Sequence, residues 1–262
     1  MKKNVCRATC IMVLVLSVTL FAGLVHAQPS GVLYQVATIN SLMQGVYDGE
    51  TTVKELKQHG DFGIGAPHRL DGELVALDGK FYQVKSTGQV LLMKDSMKIP
   101  FATVTYFKPQ QPVAIPALDS FSQVEAFFNQ ILEEKNYFYA IRIDGVFGYV
   151  KTRSIPAQDK PYKPLGETVK EQQIFELRNV RGTIVGFWAP QYVNGINVPG
   201  YHLHFLTQDR QQGGHVLELA VLSGTYQVNR ITDFHMSLPV SGDFAGVNLA
   251  KDVSAELKKV EK

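Results

Sequence analysis

Apolar and polar positions recur along this chain at two periods, and the switch from one to the other marks its elements. Between Thr38 and Val46 the apolar residues Ile39, Leu42, Met43 and Val46 fall at three- and four-residue intervals, which predicts a short helix with one buried face. Thr51-Thr52-Val53-Lys54-Glu55 predicts a second short helix, stopped by Gly60. From Phe62 to Phe107 the pattern shortens to strands, expected at 73–77, 80–84, 90–93 and 102–107. Asp78-Gly79 is a hairpin signal, and Thr87-Gly88 marks another turn. Ser120 and Gln123 then predict a capping box, ahead of an apolar stripe of Phe121, Val124, Phe128, Ile131 and Leu132.

Strands are expected at 137–143 and 146–153, with Asp144-Gly145 as a hairpin turn between them. A proline-rich loop, 155–165, reads as the boundary between two halves. The second half predicts strands at 173–180, 181–189, 200–207, 215–221, 225–234 and 236–239, followed by a short charged tail at 250–262 with helical character. Residues 28–36 read as an extended N-terminal arm. The class is α+β: mostly antiparallel sheets with a few helices, in two coupled α/β subdomains at 28–165 and 166–249.

One predicted strand carries chemistry. His202 and His204 are two apart in an apolar run, so both imidazoles leave the same face. A polar turn, 208–214, leads to His215 at the start of the next run. If the two runs pair, three imidazoles converge. Three neutral nitrogens with an open fourth position describe a catalytic zinc site, whereas closed structural sites use four protein ligands. The plain alternative is two strand histidines and one turn histidine of no special role.

The N-terminus and the composition narrow the chemistry. Lys2, Lys3 and Arg7 precede an apolar run that ends in Val25-His26-Ala27, a small-residue cleavage pattern, so residues 1–27 read as an export signal and the mature chain as secreted. Both cysteines, Cys6 and Cys10, lie in that leader, which leaves the mature chain without thiolate ligands or disulfides. Removing three of 26 basic residues and none of 24 acidic ones leaves a net charge of −1. Such a balance gives no footprint for nucleic acid or an anionic membrane, and favours a small-molecule substrate.

No P-loop, G-x-S-x-G elbow or His-Glu-x-x-His helix is present. Gly63-Ile64-Gly65 is followed by Ala-Pro-His, so it is no dinucleotide fingerprint and reads as a turn before the strand at Glu73. By spacing alone Glu73, Arg153 and Glu261 are a strand-end carboxylate, a strand-end arginine and a tail charge.

Longer motifs carry more. The run from Val180-Arg-Gly-Thr-Ile-Val-Gly-Phe-Trp-Ala-Pro190, through Asn197-Val-Pro-Gly-Tyr-His-Leu-His-Phe205, to Gly213-Gly-His215 resembles the secreted bacterial α-acetolactate decarboxylases. So do Gly60-Asp-Phe-Gly-Ile-Gly65, Leu70-Asp-Gly-Glu73, Pro100-Phe-Ala-Thr-Val104 and Lys151-Thr-Arg153. The resemblance extends from about Tyr34 to the tail. It implies a zinc ion held by His202, His204 and His215, with Glu73, Arg153 and Glu261 around it, the last delivered by a C-terminal tail that folds back. It also implies decarboxylation of α-acetolactate, a 2-hydroxy-3-oxo acid, to acetoin and CO2, the metal acting as Lewis acid for the enediolate. Where such enzymes commonly carry Gly-Thr, this chain has Gly65-Ala66, so a hydroxyl contact from that position is lost.

Two other classes remain open on the residues alone. A secreted zinc- or copper-binding protein needs the histidines but no substrate-facing arginine. A cupin-like metal dioxygenase also uses His-x-His, but wants a glutamate soon after the pair, where this chain has Gln208. A homodimer is compatible with the sequence and is not specified by it.

Overall fold

The structure is a computed structural model that describes residues 31–261; the export signal read at 1–27 lies outside the described residues. Strand β1 (Val32–Val36) is followed by helix α1 (Ile39–Met43), the short strand β2 (Thr51–Thr52) and helix α2 (Val53–Leu56). Next come β3 (Phe62–Ala66), β4 (Glu73–Leu77), β5 (Lys80–Val84), β6 (Val90–Leu92), β7 (Lys98–Ile99), β8 (Phe101–Thr105) and β9 (Val113–Ile115). Helix α3 (Phe121–Ile131) leads into β10 (Phe138–Ser154), α4 (Leu165–Thr168) and β11 (Gln173–Ala189). The chain continues through β12 (Gly200–Thr207), β13 (Gly213–Ile231) and β14 (Asp233–Ser237) to α5 (Ser254–Val260). Among the described residues no helix is long and apolar enough to cross a membrane.

Local chemistry accounts for the element ends. Thr38 caps α1 by accepting from the Ser41 amide at 3.2 Å. Thr52 and Glu55 close a full capping box on α2. On α3 the Ser120 hydroxyl accepts from the Gln123 amide, but the Gln123 side chain reaches past Ser120 to the Asp119 amide at 2.8 Å. Asp78 and Gly79 both take positive φ and join Leu77 to Lys80 as the tight hairpin expected.

Seven strands form one sheet in the order β14-β1-β8-β3-β4-β5-β6, and five form a second in the order β10-β11-β12-β13-β9. In the second, β10 also pairs with β13, so β10, β11, β12 and β13 close on one another through their ladders. The sheets are coupled by one apolar cluster. Leu33, Phe62, Ile64, Val75 and Leu77 come to it from the first sheet, Ala140, Val185, Phe187 and Leu206 from the second. Helix α3 covers the other face of the second sheet, with Val124 and Phe128 against Ile141, Ile184, Leu203 and Phe205. The α+β class with coupled antiparallel sheets therefore holds.

Several sequence expectations change. The arm at 28–36 contains β1, an interior strand that pairs parallel with β14 and antiparallel with β8. Asp144-Gly145 does not turn the chain: β10 runs straight through it, with Gly145 opposite Gly182 on one side and Gly224 on the other. A Cβ on Gly145 would lie 2.3 Å from the Ser223 carbonyl oxygen, so this glycine serves close strand approach. The Asp144 carboxylate is held by Arg142 and Thr183, which satisfies it within the sheet.

Likewise, the strands expected as 173–180 and 181–189 are one strand, which keeps a single register with β10 across Asn179, although that residue has φ 50°. The runs 215–221 and 225–234 also merge, into β13. Gly63 and Gly65 sit inside β3 and not in a turn; a Cβ on either would approach a β8 carbonyl oxygen to 2.4 Å. Finally, the sheets do not divide at the 155–165 loop. Strands β9 and β10, placed in the first half by sequence, belong to the second sheet, and β14 returns to the first.

Candidate metal centre and active site

The site is built on a ladder. In register, Arg153 of β10 pairs with His215 of β13, and His215 pairs with His204 of β12. His202 is two residues back on β12 and shares the inward face, because strand side chains alternate. The three imidazole rings stand 5.1–5.3 Å apart, centroid to centroid. One nitrogen from each lies within 4.8 Å of the others. The hairpin expected from His-x-His and the following turn is therefore present, and it places these groups at the edge of the inter-sheet core.

Two carboxylates face them. Glu73 begins β4 in the opposite sheet, and its Oε2 is 3.7 Å from His204 Nε2. Glu261 immediately follows α5, and its Oε2 is 3.6 Å from His202 Nε2 and 3.8 Å from His215 Nε2. All six residues singled out by sequence thus converge. A seventh group was not anticipated: the Leu74 main-chain carbonyl accepts from His204 Nδ1 at 2.9 Å. That bond places the proton on Nδ1 and leaves the Nε2 lone pair facing the site. A backbone acceptor carries no signal in residue type, so no reading of the sequence could find it.

Burial sets the charge states. The three histidines, Glu73 and Arg153 are at most 9 % exposed. Burial, aided by the Arg153 charge, pushes His202 down to about 3. Burial holds His204 and His215 well below the usual imidazole range, with neighbouring histidines and Arg153 adding to the effect. All three are therefore neutral, the form that binds metal. Burial also lifts Glu73 to about 8 and Glu261 to about 7, each against the pull of Arg153.

These residues fit a metal ion. The Nε2 atoms of His204 and His215 and Oε2 of Glu261 are buried without a hydrogen-bond partner. Orphaned acceptors in a dry site are costly, and here they point at one another across a space bounded by three imidazoles. A cation there satisfies all of them at once and draws the carboxylates into their charged form. Arg153 Nε and Nη1 are likewise buried and unpartnered, and the guanidinium charge acts on all three histidines and on both carboxyl groups.

Comparison with known proteins agrees with this geometry. The family profile described as alpha-acetolactate decarboxylase matches residues 33–251. The chain belongs to that family. It is 48% identical over 233 residues to the alpha-acetolactate decarboxylase of Methanosarcina mazei, covering 89% of this chain and 81% of that protein. With the enzyme of Bacillus subtilis strain 168 it shares 44% identity over 231 residues, 86% of this chain and 91% of that one. The crystal structure of the decarboxylase from that strain superposes with a TM-score of 0.85 at 42% identity, covering 88% of this chain and 98% of that one.

Within this decarboxylase fold Ala66 is buried in the apolar cluster that also holds Phe101, Val198 and the buried face of α5. Its methyl group contributes to that packing. The profile match ends before α5, so Glu261 reaches the site from beyond the matched stretch.

Proposed function

We propose that this chain is a zinc-dependent carboxy-lyase that converts α-acetolactate (2-hydroxy-2-methyl-3-oxobutanoate) to acetoin and CO2. The observation that carries the proposal is the meeting of three neutral imidazoles, a buried guanidinium with two unpartnered nitrogens and two buried carboxyl groups in one enclosed space of a family member. His202, His204 and His215 would hold the zinc. Bound there, it supplies Lewis-acid stabilisation of the negative charge that moves onto the ketone oxygen as CO2 departs.

The protein's own groups do the rest. Arg153 presents its buried, unpartnered guanidinium to the substrate carboxylate and orients the bond to be broken by charge-assisted hydrogen bonds. That C–C bond breaks, its electron pair becomes the enediolate, and a proton must return to carbon. Glu73 and Glu261 are the carboxyl groups placed to move it, since each has an oxygen within 4 Å of an imidazole nitrogen of the site. Their enclosure excludes bulk water from the enediolate. A protein that only stored metal would have no use for the guanidinium fork. The basic start and apolar run of the first 27 residues support export of the mature chain.

Incubating purified protein with racemic acetolactate tests the reading. Acetoin is expected with metal-loaded protein, no more than the spontaneous background after chelation, and recovery on adding zinc. Chelated protein that keeps full activity would rule the metal role out.

The tail gives a sharper test. Chain ends usually tolerate trimming, yet Glu261 is in the site while Glu256, on α5 just before it, is exposed. Glu261→Gln and removal of residues 261–262 are expected to lower turnover by roughly a hundredfold or more, the scale of a general acid–base group. Glu256→Gln is expected to leave it unchanged, and none of these variants should move the melting transition much. Equal turnover for the Glu256 and Glu261 variants would remove the tail from the chemistry.

A further inference from the structure

The candidate active site is covered, and the cover is a single short element. His202, His204, His215, Glu73 and Arg153 are all buried, and Glu261 lies across the imidazoles. That carboxylate, carried by the end of α5, stands within 4 Å of two of the three imidazole nitrogens that a metal ion would need.

What holds α5 is almost entirely apolar. Val253, Leu257 and Val260 pack into a cluster with Met43, Phe101 and Leu165. At its start the N-cap residue Val253 offers no side-chain cap, and the Ser254 amide donates to Asp252 Oδ1 of the preceding loop at 2.9 Å. Among the described residues, no side chain of Ser254–Val260 is hydrogen-bonded or ion-paired to another element; the ion pairs of this segment come from Glu261. Seven residues are too few to stay helical away from a packed surface, so lifting α5 and unwinding it are one event.

The chain before it is arranged as a hinge. Residues 238–252 are mostly exposed and contain no strand or α-helix, only a 3-10 turn at Gly242–Gly246. Their far end is pinned: the Asn40 side chain donates to the carbonyls of Leu249 and Lys251 at 3.1 and 3.4 Å. Motion of the tail is therefore focused after Lys251. Beneath and beside the helix a cleft of about 520 Å³ already exists, lined by Phe121, Glu125, Pro199, Tyr201, Lys258 and Glu261. Glu261 is the residue shared by this cleft and the metal centre.

We infer that α5 is the gate of the site. It lifts about residues 251–253, carries Glu261 away from the imidazoles and joins the cleft to the three histidines; both the metal ion and the 2-hydroxy-3-oxo acid enter by that opening. The inference rests on the metal centre proposed above. It makes the open form a minor state in equilibrium with the closed one, with Leu257 and its neighbours setting the population.

Cobalt(II) uptake by metal-free protein, followed by visible absorption after rapid mixing, tests it. A gated site is expected to load at a rate that rises with cobalt and then levels off at the rate of opening. Leu257→Ala, which removes the central apolar contact, should raise that plateau by at least about tenfold. It should also speed hydrogen exchange at the Leu257 and Glu261 amides, which close the helix onto Val253 and Leu257. A weakened metal site would speed loss of cobalt but not its entry, so the uptake plateau separates gating from simple damage. If Leu257→Ala loses its near-ultraviolet circular dichroism, Val260→Ala serves in its place. Uptake that stays proportional to cobalt, or a plateau identical in wild type and variant, would overturn the gate. Protein that takes up no cobalt at all would overturn the metal centre and the gate with it.

Discussion

His204→Ala is expected to lose metal and turnover together. The remaining two imidazoles do not make a three-nitrogen site, and the Lewis acid goes with the ion. Loss of that stabilisation is worth several kcal/mol of barrier, so turnover should fall by roughly a thousandfold or more. The variant also leaves the Leu74 carbonyl without its donor, at a cost of about 1–3 kcal/mol in stability. Its melting temperature should no longer respond to added zinc, because stabilisation by a ligand requires that the ligand bind. Elemental analysis and melting with and without zinc check both halves. A variant with full zinc content would show that His204 is no ligand.

Arg153→Lys is expected to separate chemistry from folding. Lysine keeps the positive charge that moderates Glu73 and Glu261, and its stem occupies much of the same buried space. It cannot present two parallel N–H donors to a carboxylate. Turnover should fall by about 10²–10³, the usual cost of removing one aligned donor from a charge-stabilising site. Zinc content should match wild type, and the melting temperature should stay within a few degrees. Wild-type turnover would return Arg153 to a packing role, and an unfolded variant would show that its contribution is structural.

The contrast between the histidines and their three partners shows what a sequence can disclose. His202 and His204 share a strand with a clear apolar pattern, and His215 follows a polar turn of hairpin length. Proximity there is local: register in a short hairpin leaves little freedom. Glu73, Arg153 and Glu261 come from β4, β10 and the residue after α5, three segments far apart in the chain. Taken one at a time each resembles a solvated charge, and only the resemblance to a known family drew them together before the fold did. Their burial, which gives them their altered proton affinity, cannot be read from neighbours in sequence.

The strands show the same division. β4, β5 and β12 have expected and observed limits that coincide, because alternation and a tight turn or proline-rich flank bound them. β10, β11 and β13 were each expected as two strands, the first because Asp144-Gly145 reads as a hairpin turn. In the folded protein Gly145, Gly182 and Gly224 lie in register across three of these long strands, where the backbones approach closely.

From its sequence alone this protein was determined to be an α+β chain of antiparallel sheets, with no cysteine beyond residue 10 and three histidines able to meet on one hairpin. Those properties follow from side-chain periodicity, composition and short-range register, all local quantities. Tertiary structure alone decided that the hairpin lies against β4 of the opposite sheet, so that Leu74 orients His204 and Glu73 faces it. It alone put Arg153 in the ladder beside His215 and folded the tail over all of them. The reason is physical: desolvation and charge–charge coupling depend on what surrounds a group in space, and that surrounding exists only once the two sheets have closed on their common core.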